Sequence, residues 1–382
     1  MISEGHYCEG AARLQLGAGF FRADSRPARD LGVLLARQLA QAGPLTVLDL
    51  MAGCGIRALR YGLEAGAAAV WANDADPDRL PLLRANLAEL GAAHGRVRAT
   101  ALTAQQLLGG CLERRQRFAL VDLDAFGSPA ALLPLALEAV TLDGVLYLAS
   151  TDGRSATGHD RRAAIRSLGS SARAHPAAWE LALRLQLGSV ARAAWALGRG
   201  LEPLLAFSEG RTFRCAVRLR RRPAAREEEQ LGLLAFCHGC GDQQLQPLLR
   251  LRGWGPCCCP GGEGPPLAVS GPLWIGPLQQ PSVLAAMAAD GAADPRMAPA
   301  SLRLLQRLEQ DPAAEPRCWP SAEIGRRLGS GPPPLRALVA ALAEWGWPAA
   351  VSGVMPACLR SAAPWPQILA AAAALAGPSA AR

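Results

Sequence analysis

The stretch Val47-Leu-Asp-Leu-Met-Ala-Gly-Cys-Gly-Ile-Arg-Ala-Leu-Arg60 constrains this chain more than any other. An apolar strand closed by Asp49 runs into a turn holding Gly53 and Gly55, and helical spacing begins at Ile56. Glycine lets a backbone pass close to a ligand with no Cβ in the way, and a helix starting at the turn aims its unpaired N–H groups there. A second apolar strand, Val70-Trp-Ala-Asn, then ends in Asp74. Strand, Gly-x-Gly turn, helix and acid-tipped strand together form the site a parallel sheet builds for a nucleotide or for S-adenosylmethionine (SAM). A nicotinamide dinucleotide fingerprint would need a third glycine where this chain has Ala58.

Apolar runs at 46–50, 69–73, 96–99, 118–124 and 144–149 alternate with amphipathic helices at 56–65, 78–90, 103–113 and 130–140. Strands buried on both faces read as continuous apolar runs and need helical crossovers, so the chain is of the α/β class. A long helix over 177–198 leads to runs at 203–208 and 212–219. These read as an antiparallel hairpin that completes a seven-stranded, mostly parallel, Rossmann-like sheet. The fourth strand ends in Asp122-Leu-Asp-Ala-Phe-Gly-Ser-Pro129, where Ser128 suits an N-cap and Pro129 a first helical position. Ligands bind at the carboxyl edge of open α/β sheets, which brings Asp122, Asp124 and Phe126 beside the glycine turn. Two acids ending an apolar strand are hard to bury without a task.

Net charge is +8 and the pI about 9.2, which favours an anionic partner such as nucleic acid. All 40 basic residues are arginine, which suits bidentate phosphate contacts. Residues 153–174 read as an arginine- and serine-rich loop leaving the same sheet edge, with Arg154, Arg161 and Arg162 offered to phosphates. Arg220-Arg-Arg-Pro-Ala-Ala-Arg-Glu-Glu-Glu229 has no apolar period and reads as a linker over 221–230. It divides residues 1–220, an N-terminal arm and the sheet domain, from a smaller α+β domain at 231–382. A chain ending near Arg222 would then keep every cofactor residue.

Eleven cysteines, five of them between Cys237 and Cys259, suit a reducing compartment better than a disulfide scaffold. Cys237-x-x-Cys240 is half of a zinc site, and Cys257 and Cys259, from a run of three, are the expected other half of one structural zinc site. Arg326, Arg327 and Arg336 are available to nucleic acid in the same domain. The N-terminus has neither the basic nor the apolar region of a signal peptide, and the alanine-rich run 361–381 carries three prolines. The expected location is the cytoplasm, with no membrane partner.

On these residues the chain resembles the tRNA guanine-26 N2-dimethyltransferases over nearly its whole length. The specific segments are Leu48-Asp-Leu-Met-Ala-Gly-Cys-Gly-Ile-Arg57, Trp71-Ala-Asn-Asp74, Asp122-Leu-Asp-Ala-Phe-Gly-Ser-Pro129, Thr151-Asp-Gly153, Glu180-Leu-Ala-Leu-Arg184, Pro203-Leu-Leu205 and Gly271-Pro-Leu-Trp-Ile-Gly-Pro-Leu278. The resemblance implies a SAM-dependent methyltransferase domain, a C-terminal domain that grips tRNA, and transfer of one and then two methyl groups to the exocyclic N2 of guanine 26 or a neighbouring guanine. It implies that Arg29 sits near the SAM carboxylate, Asp74 on its ribose and Asp124 at the target amine. Asp49, Gly53, Gly55 and Asp122, read from the strand ends and the turn, are the other expected cofactor residues.

The chemistry agrees with the resemblance. Guanine N2 is a poor nucleophile because its lone pair is delocalised, so a carboxylate at Asp124, helped by the Ala125 carbonyl, would accept its N–H bonds, aim the lone pair and receive a proton. Phe126, with Phe20 or Phe21, offers stacking faces for an extruded base. The chain departs from the family's usual Asp-Pro-Phe-Gly at Asp124-Ala-Phe-Gly127 and from Phe-Tyr-Asn-Pro at Phe20-Phe-Arg-Ala23, and Thr100-Ala-Leu-Thr103 lacks an acid for the adenine amine. The alternatives are a catalytically impaired RNA-binding homologue and a SAM-dependent enzyme acting on another amine. The intact Asp122, Asp124, Gly53 and Gly55 weigh against the first, and the arginine-rich C-terminal half against the second.

Overall fold

A computed structural model describes residues 2–3, 6–18, 21–93, 96–259, 264–311 and 313–376. Strands β1 (Ile2–Ser3), β2 (His6–Glu9) and β3 (Ala12–Leu14) make a small antiparallel sheet ahead of helix α1 (Arg26–Ala42). The α/β unit follows as β4 (Thr46–Asp49), α2 (Ile56–Ala65), β5 (Ala69–Asn73), α3 (Leu80–Ala93), β6 (Arg96–Thr100), α4 (Ala104–Glu113), β7 (Phe118–Asp124), α5 (Leu133–Glu138) and β8 (Val140–Ser150). Helices α6 (Arg161–Leu168) and α7 (Ala178–Ala196) then lead to β9 (Gly200–Glu209) and β10 (Thr212–Arg220). The seven strands lie in the order β6-β5-β4-β7-β8-β10-β9, with β10 antiparallel to both its neighbours and the pairs from β6 to β8 parallel.

Register decides what meets at the sheet edge. Asp49 pairs with Asp122, Asp124 with Ala149, and Ala149 with Arg214, so Asp124 and Arg214 lie in one row on either side of an alanine. In-register residues share a face, and so do residues two apart along a strand, so Asp122 and Asp124 both point toward α2 and the glycine turn.

Three local readings change. The helix expected over 130–140 is a 3-10 turn, Ala130–Leu132, followed by the short α5, and β8 starts at Val140 rather than 144. The extra residues are absorbed where the pairing jumps from Phe118 with Val140 to Leu120 with Val145, around Asp143 at φ +63°. The loop expected over 153–174 contains α6: Asp160 caps it by accepting from the Ala163 N–H at 2.9 Å, and Gly169 closes it at φ +59°.

The third change concerns the linker. Glu227 is buried and accepts from Trp195 Nε1 at 2.6 Å and from the backbone of Leu201 at 3.0 Å, which pins the segment to α7 and β9. Beyond it, β11 (Leu231–Phe236), β12 (Gln243–Pro247) and β13 (Ala268–Trp274) form a second antiparallel sheet. Helices α8 (Pro281–Ala293) and α9 (Pro299–Glu309) return to pack on α1, so Leu284, Met287, Leu304, Leu305 and Leu308 belong to the same core as Val47 and Leu59. A division of the core at 220 therefore does not hold. The chain ends with β14 (Cys318–Pro320), α10 (Ser321–Leu328), α11 (Leu335–Glu344), β15 (Ala349–Val351), β16 (Cys358–Ser361) and α12 (Trp365–Ala376), whose core holds the stacked Trp319 and Trp365. Among the described residues no helix is long and apolar enough to cross a membrane.

Candidate active site and cysteine cluster

A cavity of about 570 Å³ opens at the carboxyl ends of β4, β5 and β7, a volume typical of cofactor sites. Its floor is the glycine turn. Gly53 (φ +56°) and Gly55 (φ +85°) are both left-handed, and they are glycine for different reasons. A Cβ on Gly55 would lie 2.7 Å from Leu83 Cδ1, whereas one on Gly53 would meet nothing within 4 Å and would project into open space. The Gly53 N–H donates to Asp74 Oδ2 at 2.9 Å, and Asp74 Oδ1 accepts from the Asp76 N–H at 3.0 Å. Asp74 therefore lines the cavity and also braces the turn.

Asp49 and Asp122 stand behind the wall. Asp49 is fully buried and accepts from the Ala58 N–H at 3.1 Å, fixing the start of α2. Asp122 accepts from the Tyr61 hydroxyl at 2.6 Å and from Arg57 at 3.3 Å. Neither is among the residues lining the cavity. Burial pushes both carboxyls up; Asp122's charge adds to the rise at Asp49, while Arg57 opposes it at both.

Asp124, two residues on, reaches the cavity with its side chain 28% exposed, and Arg57 Nη2 and Arg214 Nη2 both contact its Oδ2 at 3.2 Å. Burial opposes ionisation there, but Arg214 and Arg57 outweigh it and hold the acid at about 2. Ala125 is buried and lines the cavity, and Phe126 projects from its rim 75% exposed. The loop carrying Phe126 is tied down: the Gly127 N–H donates to Thr151 Oγ1 at 2.7 Å, and the Gly127 carbonyl accepts from Ser150 Oγ and the Thr151 N–H, each at 3.0 Å.

On the far wall Phe21 lies against Tyr7 (centroids 4.7 Å) and under the Arg29 guanidinium (5.1 Å). Arg29 lines the cavity, but Glu9 holds it through two contacts of 2.6 and 2.7 Å, and it also donates to the carbonyls of Arg22 and Ala23. Phe20 lies outside the described residues. Arg154, Arg161 and Arg162 are exposed but do not line the cavity. Of the three arginines expected at nucleic acid in the C-terminal half, Arg326 and Arg327 both pair with Glu323, and Arg327 also donates to the carbonyls of Gly239 and His238. Arg336 is exposed.

The Sγ atoms of Cys237, Cys240, Cys257 and Cys259 lie within 4.8 Å of one another. Four thiolates at about 2.3 Å from one tetrahedral zinc stand about 3.8 Å apart, and Cys237 Sγ is 3.7 Å from Cys259 Sγ. A Cβ on Gly239 would come 2.8 Å from Cys259 Sγ and one on Gly264 2.4 Å from Cys257 Sγ, so only glycine leaves the sulfurs room. Trp365 Nε1 donates to the Cys240 carbonyl (2.8 Å) and Trp319 Nε1 to that of Gly241 (2.9 Å), which seats the knuckle on the C-terminal core. The donor set and spacing fit a structural zinc; Cys258 is exposed and outside the cluster.

The sequence reading gave no role to Arg57, Arg214, Glu9 or Thr151, although Arg57 and Thr151 fall in the quoted segments. The signal for Arg214 was present as a charge inside the apolar run Thr212-Phe-Arg-Cys-Ala-Val217, and for Arg57 as the first cation after the glycine turn.

A family model described as N2,N2-dimethylguanosine tRNA methyltransferase matches residues 17–373. A tRNA (guanine(26)-N(2))-dimethyltransferase of Methanosphaerula palustris is 31% identical, covering 93% of this chain and 91% of its own. One of Pyrococcus horikoshii is 29% identical, covering 88% and 87%. The solved structure of Trm1 from Pyrococcus horikoshii in complex with S-adenosyl-L-methionine superposes with a TM-score of 0.83 at 25% identity, covering 96% of this chain and 99% of the other.

Proposed function

The chain belongs to the N2,N2-dimethylguanosine tRNA methyltransferase family, and from that premise we propose how its residues transfer methyl groups from SAM to tRNA. It is a SAM-dependent tRNA guanine N2-methyltransferase with a Rossmann-like fold. The target we propose is guanine 26, methylated once and then again. The observation that carries the reading is Asp124: unlike Asp49 and Asp122, it brings a part-exposed carboxylate into the cavity that Phe126 and the glycine turn also line.

SAM, when bound, supplies an electrophilic methyl group. The fit is in the cavity's size, the space above Gly53 and the acid of Asp74 beside it. In this reading Asp74 takes the ribose, and Arg29, held flat by Glu9, faces the carboxylate end. Phe126 and Phe21 stack the extruded base, and Asp124 and the Ala125 carbonyl accept the two N2–H bonds so that the nitrogen lone pair points into the cavity. Arg154, Arg161 and Arg162 meet phosphates. The four-cysteine cluster holds one structural zinc, and the eleven unpaired thiols suit the cytoplasm.

Nucleoside mass spectrometry of tRNA after incubation with the protein and SAM tests the reading. The expected products are N2-methylguanosine followed by N2,N2-dimethylguanosine, both lost when guanine 26 is replaced by adenosine. Unmodified tRNA, or product that survives the replacement, rejects respectively the activity or the position.

A further inference from the structure

Both guanidiniums that reach Asp124 do so at the same atom. Arg57 Nη2 comes from the first turn of α2 and Arg214 Nη2 from β10, each 3.2 Å from Oδ2. Arg214 can reach across β8 because the residue in register between it and Asp124 is Ala149, too small to block the path. The arginines are fixed in turn. Arg57 also contacts Asp122 at 3.3 Å and lies 5.9 Å from the Tyr147 ring centroid, and Arg214 contacts Glu209 at 3.3 Å. Both arginines are at least nine-tenths buried, while the Asp124 side chain remains 28% exposed.

We propose that Arg57 and Arg214 are positioning residues that clamp Oδ2 of Asp124, leaving Oδ1 as a fixed anionic acceptor for the substrate amine, and that the amine's proton leaves to water rather than to this acid. The proposal rests on the assignment of Asp124 to the amine. It replaces the expectation that Asp124 receives the proton. In the transfer the N2–C bond forms as the S–C bond breaks, SAM leaves as S-adenosylhomocysteine, and one N–H proton passes to solvent through the open cavity.

The surrounding charges point the same way. Around Asp124 stand Arg57 and Tyr61 on α2, Asp49 on β4, Asp122 on β7, Tyr147 on β8, Glu209 on β9 and Arg214 on β10. The acids separate in behaviour: burial raises Asp49 and Asp122, each of which has an Oδ1 with no hydrogen-bond partner, whereas the clamp draws Asp124 down. A general base works best with a pKa near the operating pH, and a doubly clamped carboxylate is far from it. An anionic acceptor needs only to stay ionised and in place.

Asp-carboxyl ¹³C NMR of the SAM-bound protein tests the clamp without methyl transfer, the Asp124 signal being identified by its absence in Asp124→Asn. In the wild type it should not titrate between about pH 7.5 and 4.5, the interval in which an unclamped buried acid would. In Arg214→Gln it should titrate there, and in Arg214→Lys remain closer to wild type. Single-turnover transfer to tRNA should be flat in wild type, but Arg214→Gln should lose about tenfold or more from pH 8 to 5.5, one decade per pH unit below the new pKa. A wild-type Asp124 that titrates within the interval overturns the clamp. So does an Arg214→Gln protein that still binds SAM and stays flat in both measurements. Should Arg214→Gln no longer bind SAM, the wild-type titration alone decides. Should the wild type methylate no tRNA, the amine assignment fails while the NMR titration still judges the clamp.

Discussion

The backbone N–H of Gly53 donates to Oδ2 of Asp74 at 2.9 Å across 21 positions of sequence, so the acid expected to touch the cofactor also holds the turn beneath it. Asp74→Ala should weaken SAM binding by about 10- to 100-fold, since a lost hydrogen bond to a charged partner costs roughly 1.5–3 kcal/mol. Calorimetric titration with SAM checks this, and unchanged affinity would remove Asp74 from the site.

Gly53 and Gly55 should separate binding from stability. Gly53→Ala has room for its methyl but projects it into the cavity, so it should fold with a left-handed penalty of about 1–2 kcal/mol and bind SAM poorly. Gly55→Ala meets Leu83 Cδ1 at 2.7 Å and should lose more stability, seen as a lower denaturant midpoint at constant slope. The reverse ranking would mean that Gly53 does not face the cofactor.

A chain ending at Arg222 lacks α8 and α9. Sequence alone suggests such a chain keeps SAM binding, but Leu284, Met287, Leu304, Leu305 and Leu308 share the core beneath α1. At about 1.5–3 kcal/mol for each buried side chain, their loss is on the scale of the whole net stability of a domain, about 5–15 kcal/mol. The shortened chain should show no cooperative unfolding and no SAM binding; a cooperative transition with retained binding would refute this.

Cys237→Ser should reduce bound zinc from about one per chain to a small fraction, as read by elemental analysis, because three thiolates and a hydroxyl make a poorer set for a soft-ligand site. Its thermal unfolding should shift down and become insensitive to chelator. Wild-type protein purified without any zinc would overturn the assignment.

His175 predicts an acid-side loss of stability. Burial pushes its imidazole down to about 4 from an ordinary 6.5; His238 pushes it further down, while the Ala177 backbone contact and Glu180 oppose the shift. The native state disfavours the proton that the unfolded chain takes up below about 6.5, so stability is intact above that pH and falls toward pH 4, by up to roughly 3 kcal/mol at 1.36 kcal/mol per unit. His175→Gln should flatten that part of the curve in urea unfolding at several pH values. An equal slope in both proteins would show that the loss arises elsewhere.

The alternation of apolar strands with helices, the left-handed glycines and the acids at the strand ends were legible in the sequence because each is a local or periodic signal. Asp124, Phe126, Gly53 and Asp74, which all line the cavity, were singled out that way, as were the clustered cysteines of a C-x-x-C pair. Which acid reaches the cavity was not legible: Asp49, Asp122 and Asp124 all end apolar strands, and only strand register and the depth of the wall put two behind it and one in front. Nor was the clamp. Arg57 and Arg214 lie far apart in sequence, and they meet at one oxygen only because β10 inserts antiparallel beside β8 and places Arg214 in one row with Ala149 and Asp124. The same holds for α8 and α9, whose apolar faces say that they must be buried but not against which helix. Sequence determined the elements and the chemistry each could carry, since those follow from residue type and spacing; the tertiary structure decided the charge state and the neighbours, since those follow from long-range pairing.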